Sequence, residues 1–410
     1  MKKWFIAIIG TFIQLFLGTV YAWSFFQTPI TELTSWSNTQ TAWAFSLAIF
    51  MLGVTAFWAG RKMPVYGPRK LAMLGGVLYA LGYLISGFAL ANQSLILLYL
   101  GFGVFGGIGL GMAYVTPVAT VSAWFTEKQG LATGMVVMGF GLGALLMSKL
   151  LAPFFLKISG ESLSTTFYYV GIVMLVLIPI LAYFLQLPPS EKSTEKRAEK
   201  IPLAKYIKTQ SFITIWLIFM INIVAGMIFI SFQSPLLQDM LRAKLPVGTD
   251  FSDANIIASL ASAGATLIAV SSIFNGLGRF FWGSISDKIG RIQTFRILLA
   301  LQAVIFGVLV FVREPIVFSI LVCVVLLCYG GGFGVLPSLT RDMYGSKLMS
   351  SLYGALLTAW GVGGIIGPQI VAFMKDTYAD RAGIYAFIVG GSLLVVGFVM
   401  SFSGRKKKGN

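Results

Sequence analysis

One arginine stands inside a long apolar stretch of this 410-residue sequence. Arg279 follows a run without charged residues at 254–274 and precedes three aromatic residues at 280–282. A guanidinium at membrane depth is costly unless it faces a polar cavity or a partner. Its planar fork suits a carboxylate, which accepts two parallel hydrogen bonds from it. We therefore predict that Arg279 binds a carboxylate ligand; the alternative is a snorkelling or structural arginine.

Four further residues are candidates to line a site with Arg279. Asn275 lies one helical turn earlier on the same face, where its amide can bond a carboxylate or a hydroxyl. Its alternative role is a hydrogen bond between helices or to water. Tyr114, Tyr329 and Phe333 lie in glycine-rich stretches that allow close approach of helices. Tyr329 and Phe333 are four residues apart, a spacing that is also typical of ordinary packing.

Lys149 is the other charged residue that lies well inside an apolar stretch. Its position near the outer third of the fifth stretch predicts that it snorkels toward the outer head groups. The alternative is a role in attracting anions from outside. Weaker candidates for the lining of a site are the polar and aromatic residues Tyr21, Trp23, Gln27, Asn222 and Gln233.

Membrane-spanning helices are the elements that must position these residues. Hydrophobic residues make up 57% of the chain and charged residues 11%, whereas soluble domains carry about 25% charged residues. Stretches of about 20 apolar residues are long enough to cross a bilayer. The sequence therefore predicts an all-α integral membrane protein with twelve transmembrane helices, at approximately 4–27, 39–60, 70–91, 94–125, 129–156, 165–187, 211–240, 254–284, 292–312, 315–341, 348–374 and 382–403.

Several classes of function are excluded by composition. The sequence has no histidine, so histidine-based catalysis, proton relays and most zinc sites are excluded. Cys323 and Cys328 share one apolar stretch, which predicts neither a disulfide framework nor a metal site. The glycine-rich runs are followed by no Gly-Lys-Ser and predict no nucleotide site. Because acidic residues and cysteines form no cluster at membrane depth, we expect neither an enzyme nor a bound cofactor.

The basic residues predict the orientation of the chain. If both termini lie on one side, that side receives 22 of the 30 Lys and Arg residues, and six lie on the other side. An excess of basic residues in short loops marks the cytoplasmic side. We therefore predict a multi-pass protein of a cell membrane, with a bacterial inner membrane favoured, and with both termini in the cytoplasm. The same placement explains the net charge of +16 without a nucleic-acid partner.

The two halves of the sequence resemble each other. Gly60 and Gly67 correspond to Gly283 and Gly290 at an offset of 223, and the segment 140–143 corresponds to 360–363 at an offset of 220. Two parallel repeats of six spans are typical of transporters with a site between two bundles. The predicted organisation is an N-terminal bundle at 1–187, a cytoplasmic linker at 188–210 and a C-terminal bundle at 211–410. Four charged residues at helix ends are predicted to latch the bundles in one access state: Asp287, Arg291, Arg341 and Asp342.

A resemblance to a known family rests on the loop GSISDKIGR at 283–291. It matches the Gly-x-x-x-Asp-x-x-Gly-Arg loop of the major facilitator superfamily. More narrowly, the chain is similar to the branch of oxalate/formate antiporters and monocarboxylate transporters. The residues that carry this similarity are Gly18, Tyr21, Trp23 and Ser24 in span one, Trp124, Phe125, Lys128, Leu131, Ala132 and Gly134 entering span five, and Asn275 and Arg279 in span eight.

Two departures from the family pattern bear on the substrate. The oxalate/formate antiporter carries a lysine in span eleven, and Trp360 stands at the corresponding place here. Animal monocarboxylate transporters carry an aspartate, tied to proton coupling, four residues before the arginine; here that residue is Asn275. The first departure favours a cargo with one carboxylate, and the second leaves the proton-carrying group unassigned. Trp360 is therefore added to the candidate substrate-binding residues.

The resemblance implies a carrier of small organic monocarboxylates, with lactate or pyruvate the leading substrates. The expected mechanism is alternating access in a monomer, with the carboxylate on Arg279 and the second polar group near Asn275 or Tyr329. The expected partners are the organic anion, protons and the lipid bilayer, and the expected mode is proton-coupled symport. One alternative is a carboxylate exchanger of the oxalate/formate type. An alternative of another class is an anion channel.

Overall fold

The computed structural model describes residues 2–125, 129–188 and 203–403. Within these residues, twelve helices are long and apolar enough to cross a membrane, which confirms the predicted spans. They are α1 (Lys2–Thr34), α2 (Asn38–Met63), α3 (Val65–Ala91), α4 (Leu95–Trp124), α5 (Ala132–Ile158), α6 (Leu163–Tyr183), α7 (Gln210–Arg242), α8 (Ala254–Ile289), α9 (Arg291–Leu309), α10 (Pro315–Tyr344), α11 (Ser351–Tyr378) and α12 (Ala382–Met400). We call the side that holds the start of α1 the terminal side and the opposite side the distal side.

Short turns join most of these helices, and their sequences explain where the helices begin and end. The Ser37 hydroxyl accepts from the backbone N–H of Gln40, and the Gln40 side chain accepts from that of Ser37. This capping box satisfies two backbone donors at the start of α2. On the terminal side, Gly67 and Gly290 have φ of 74° and 91°, a region that favours glycine. These two turns are equivalent in the sequence repeat, so the repeat is also a repeat of backbone conformation.

The two halves of the molecule, α1–α6 and α7–α12, pack through pairs of glycines. A Cβ on Gly141 of α5 would lie 2.7 Å from the Cα of Gly276 in α8. A Cβ on Gly53 of α2 would lie 2.9 Å from the backbone nitrogen of Gly361 in α11. Gly53 corresponds to Gly276, and Gly141 to Gly361, at the repeat offsets. The contacts α5–α8 and α2–α11 are therefore related by the pseudo-symmetry of the two bundles.

The first helix is interrupted where it passes the middle of the bundle. Residues Gly18–Ala22 form a 3-10 segment between two α-helical parts. A Cβ on Gly18 would lie 2.0 Å from the carbonyl oxygen of Phe140 in α5, so only glycine allows this approach. Tyr21 lies within this segment, and its ring packs edge-on against Phe140 with ring centres 4.9 Å apart.

The apolar core lies along the interfaces between helices, and large apolar residues also cover the outside. Phe311, Ile316 and Ile96 are 82%, 75% and 71% exposed, as expected for a surface that meets lipid rather than water. Of the predicted linker, residues 189–202 lie outside the described part of the chain; the described part includes a short helix at Ala204–Ile207. The predicted boundaries between bundles and linker stay predictions.

Candidate functional site

Arg279 lies at the centre of the interface between the two halves and is only 1% exposed. It stands ten residues before the end of α8 at Ile289, which corresponds to about 15 Å of helix. Its guanidinium carbon is 4.6 Å from the ring centre of Phe333 in α10 and 5.6 Å from that of Phe140 in α5. The cation therefore lies against aromatic rings from both halves, an arrangement that stabilises a desolvated guanidinium.

The donors of Arg279 are not equally used. Its Nε donates to the Oδ1 of Asn275, one turn earlier, at 3.5 Å. Nη1 and Nη2 are buried and have no hydrogen-bond partner among the described residues. Buried donors are normally paired, and an unpaired buried charge is costly. The structure therefore presents two NH2 groups without an acceptor among the described residues, at the place where the sequence predicted the site, and a carboxylate can accept one hydrogen bond from each.

Six aromatic side chains surround this guanidinium, and we call them the aromatic cage: Tyr21, Tyr114, Phe140, Tyr329, Phe333 and Trp360. Trp360 touches the most members, with ring centres 4.7 Å from Phe333, 5.0 Å from Tyr114 and 5.5 Å from Phe140. All six side chains are at most 1% exposed. Three of them come from each half, so any movement of the halves relative to each other must rearrange the cage.

A hydrogen bond between the halves closes the cage on the distal side. The hydroxyls of Tyr21 in α1 and Tyr329 in α10 are 2.5 Å apart. Tyr329 lies one turn farther from the terminal side than Phe333, which contacts the guanidinium. The hydroxyl of Tyr329 is therefore engaged with Tyr21, although the sequence led us to expect it beside the second polar group of a ligand.

Three polar atoms of the site, besides those of Arg279, are buried and make no hydrogen bond of regular geometry with any described residue. They are the hydroxyls of Tyr114 and Tyr353 and the indole nitrogen of Trp360. Both tyrosines interact electrostatically with Arg279 and with each other. Tyr353 was missed by sequence reasoning. The available signal was its position seven residues before Trp360, which puts both residues on one face of α11.

The structure brings together the six residues that the sequence predicted to bind substrate: Arg279, Asn275, Tyr329, Tyr114, Phe333 and Trp360. It adds Phe140 and Tyr353, and it places Tyr21, one of the weaker lining candidates, in the aromatic cage. Phe140 also had a signal in the sequence, because it is the repeat equivalent of Trp360. Their rings meet at 5.5 Å, across the interface of the two halves.

The weaker lining candidates make hydrogen bonds with other helices or within their own. Trp23 donates to Gln27 at 2.7 Å, and Gln27 donates to the carbonyl of Asn38 at 3.2 Å. Gln233 accepts from Ser271 at 2.8 Å. Asn222 donates to the carbonyl of Cys328 at 3.5 Å, while its own carbonyl oxygen has no partner. These contacts fix the helices around the cage.

Polar contacts on the distal side join the two halves. The carboxylate of Asp376, near the end of α11, accepts from the backbone N–H groups of Asn38 and Thr39 at 2.9 and 2.8 Å. These N–H groups lie at the start of α2, where the helix dipole favours a negative charge. The exposed Lys149 donates to Thr266 of α8 at 2.7 Å. Lys149 thus also contributes a contact between α5 and α8.

The charged residues predicted to latch the bundles lie on the terminal side. Arg291 forms ion pairs with Asp287, four residues earlier, and with Asp342 at 3.2 Å. Both partners belong to the C-terminal half, so these pairs tie the α8–α9 turn to the end of α10. Arg341 is adjacent to Asp342 and exposed. In this conformation the ion pairs of Arg291 hold one half together, and a role in latching the two halves stays a prediction.

The fold and the site together define a membrane transporter, with two six-helix bundles and a charged, aromatic-lined centre between them. Comparison with known proteins gives the family: the model described as Major Facilitator Superfamily matches residues 6–368. The chain belongs to this superfamily, as the loop at 283–291 predicted.

Relatives and a solved structure are in agreement with this family. The oxalate:formate antiporter of Oxalobacter formigenes is 24% identical over 98% of this chain and 91% of its own length. Monocarboxylate transporter 11 of Homo sapiens is 25% identical over 88% of this chain and 74% of its own. The crystal structure of a bacterial homologue of the human lysosomal transporter Spinster, inward-facing and unoccupied, shares the fold with a TM-score of 0.68, at 16% identity over 100% and 99% of the two chains. The family and these relatives are transporters.

Proposed function

We propose that this protein is a secondary transporter of small organic monocarboxylates, with lactate or pyruvate the leading substrates. The observation that carries the proposal is that Nη1 and Nη2 of Arg279, inside a closed aromatic cage, have no hydrogen-bond partner among the described residues. A carboxylate accepts both N–H groups and neutralises the only formal charge of the cage. Because one fixed cation balances one carboxylate, a monoanion fits better than a dianion. The names of the relatives support small carboxylates as cargo, and the name of the human relative supports monocarboxylates.

Alternating access between two sides of a cell membrane is the mechanism that we propose. The hydrogen bond Tyr21–Tyr329 and the contact of Asp376 with α2 close the distal side. The excess of Lys and Arg supports a cytoplasmic location of the terminal side, and a bacterial inner membrane is the membrane that we favour. Rocking of the halves around the cage would then expose Arg279 to each side in turn. Closure of one side supports a carrier over an open anion channel.

The mode of coupling has two candidates, proton symport and anion exchange. Proton symport is the mode that the sequence led us to expect. Exchange is favoured by the charges of the site. Arg279 stays protonated at physiological pH, and no Asp or Glu lies more than three residues inside any of the twelve helices. A bound monoanion neutralises the buried cation, whereas the return of an empty carrier leaves that charge uncompensated.

Uptake into proteoliposomes tests both parts of this proposal. We expect saturable uptake of labelled pyruvate and lactate by the wild type and its loss in Arg279→Ala. Arg296→Ala is the matched control, because Arg296 lies outside the cage and binds the carbonyl of Ser401 near the terminal side. Retention of saturable uptake in Arg279→Ala contradicts the site.

The same liposomes distinguish the two modes of coupling. Stimulation of uptake by internal unlabelled anion, without an effect of a pH gradient, indicates exchange. Stimulation by an inward proton gradient with empty liposomes indicates symport. A current that does not saturate with substrate concentration indicates a channel and contradicts a carrier of either mode.

A further inference from the structure

We infer that Tyr353, together with Tyr114, forms a hydroxyl pair that binds the substituent at carbon 2 of the substrate. The transporter then selects 2-oxo and 2-hydroxy monocarboxylates over acids of similar size that carry no such substituent. This inference rests on the proposed function, because it assumes that the carboxylate lies on Arg279. It goes further in assigning a role to Tyr353 and in defining the substrate class.

The position of Tyr353 is the first step of the argument. Its side chain is 2% exposed, and its hydroxyl has no hydrogen-bond partner among the described residues. Leaving a buried hydroxyl unpaired costs free energy, so such groups normally have a partner. Tyr353 lies two turns before Trp360 on the same face of α11, and its hydroxyl interacts electrostatically with Arg279. The same hydroxyl interacts with that of Tyr114, which connects Tyr353 to the aromatic cage.

Tyr114 supplies the second hydroxyl from the other half of the molecule. It is fully buried in α4, and its hydroxyl also makes no hydrogen bond of regular geometry with any described residue. Its ring packs edge-on against Trp360 at 5.0 Å and against Phe140 at 5.1 Å, which fixes its direction. Tyr114 lies close enough to Tyr353 and to Arg279 to interact with both side chains, although it makes no hydrogen bond of regular geometry with either. Tyr114 thus connects the guanidinium of Arg279 with the hydroxyl of Tyr353, and the two hydroxyls come from different halves.

The remaining polar groups near Arg279 are already engaged. The hydroxyl of Tyr329 pairs with that of Tyr21 at 2.5 Å. The amide oxygen of Asn275 accepts from the Nε of Arg279 at 3.5 Å. The second polar group of a ligand, which the sequence led us to place near Asn275 or Tyr329, therefore finds its unpaired partners in Tyr114 and Tyr353.

The chemistry of a phenol hydroxyl defines the substituents that fit. A tyrosine hydroxyl both donates and accepts one or more hydrogen bonds. Two such groups can donate to a keto oxygen, or one can donate to a substrate hydroxyl while the other accepts from it. A substrate that carries only hydrogens as substituents at carbon 2 leaves both buried hydroxyls without a hydrogen-bond partner. Sites that hydrogen-bond a substrate group discriminate strongly against analogues that lack the group.

Inhibition constants for three acids of three carbons test this inference: pyruvate, lactate and propionate. They are measured as competition for labelled pyruvate in proteoliposomes by the wild type, Tyr353→Phe and Tyr114→Phe. We expect each variant to bind pyruvate and lactate about 3- to 10-fold more weakly, the usual effect of one neutral hydrogen bond, and to bind propionate as the wild type does. Tyr344→Phe is the matched control, because its hydroxyl is also buried and unpartnered but lies at the end of α10, outside the cage.

The outcomes separate this inference from the proposed function. Equal weakening of all three acids in Tyr353→Phe, or no weakening of any, overturns the hydroxyl pair. If only Arg279→Ala loses binding of all three acids, the proposed function is supported, whether or not the tyrosine variants support the hydroxyl pair. Binding of propionate by every variant as tightly as by the wild type shows that the protein is folded. If Tyr353→Phe does not fold, the same comparison in Tyr114→Phe decides the question.

Discussion

Asp376→Asn is expected to destabilise the closed distal side. The carboxylate of Asp376 accepts three hydrogen bonds from the start of α2: from the N–H groups of Asn38 and Thr39 at 2.9 and 2.8 Å, and from the side-chain amide of Asn38 at 3.1 Å. It therefore acts as a helix cap that is supplied by the other half of the molecule. Asparagine keeps the size of the side chain but removes the charge and one of the two strong acceptors.

The magnitude follows from the geometry and the exposure of this contact. Loss of a capping side chain costs about 1 kcal/mol, and the interaction of a charge with the helix dipole adds about 0.3–1 kcal/mol at exposed positions. Asparagine retains part of the cap, and Asp376 is exposed to solvent. We therefore expect a net effect of about 1 kcal/mol, or roughly a fivefold gain in the distal-open population.

Spin-label distances between the two halves measure this population. One label is placed in each half, in distal turns, by Asn92→Cys and Arg313→Cys; both positions are exposed and the native cysteines are buried. Asp239→Asn is the matched control. Asp239 pairs with Lys375 at 2.5 Å within the C-terminal half, so its loss removes a distal charge without touching the interface. An unchanged distance distribution in Asp376→Asn, or an equal change in the control, refutes the reasoning.

Three further substitutions test the packing and the selectivity of the cage. Gly141→Ala places a Cβ 2.7 Å from the Cα of Gly276, so transport is expected to fall at least tenfold. Gly134→Ala in the same helix is the control, because a Cβ there meets no neighbouring atom within 4 Å, and it is expected to keep transport. Similar activity of the two variants argues against the close contact. Tyr21→Phe removes one neutral hydrogen bond between the halves and is expected to raise the distal-open population about threefold to tenfold in the label measurement, and no change would contradict a closing role. Trp360→Lys adds a second cation to the cage and is expected to improve oxalate binding relative to pyruvate in competition assays, whereas an unchanged ratio contradicts one-cation selectivity.

The helices and the depth of Arg279 were predictable from sequence because both depend on local pattern. Long apolar stretches define spans, and Arg279 lies eight residues before Asp287 in a regular helix, so its depth follows from the rise per residue. The glycine repeat paired Gly67 with Gly290, and both residues have a positive φ in the structure, a region that favours glycine.

Contacts between the halves were harder to predict, because they depend on how distant helices are placed. The hydrogen bond between Tyr21 and Tyr329 joins residues 308 positions apart, and no periodicity within either helix specifies it. The 3-10 segment that contains Tyr21 begins at Gly18, where α1 approaches α5 closely, and this contact also joins helices that are distant in the sequence. Tyr353 resembles an ordinary core tyrosine in sequence, and it is distinguished only in the structure, where its hydroxyl has no regular hydrogen bond among the described residues and interacts with Tyr114 and Arg279.

The affinity of the purified protein for pyruvate, measured by calorimetry in lipid nanodiscs, tests the central claim most directly. A carboxylate on Arg279 accepts two charge-assisted hydrogen bonds, each worth about 1.5–3 kcal/mol. We predict that Arg279→Gln binds pyruvate at least roughly 100-fold more weakly and that Arg296→Gln binds it as the wild type does. Affinity of Arg279→Gln within about threefold of the wild type would contradict the claim that this arginine holds the carboxylate of the cargo.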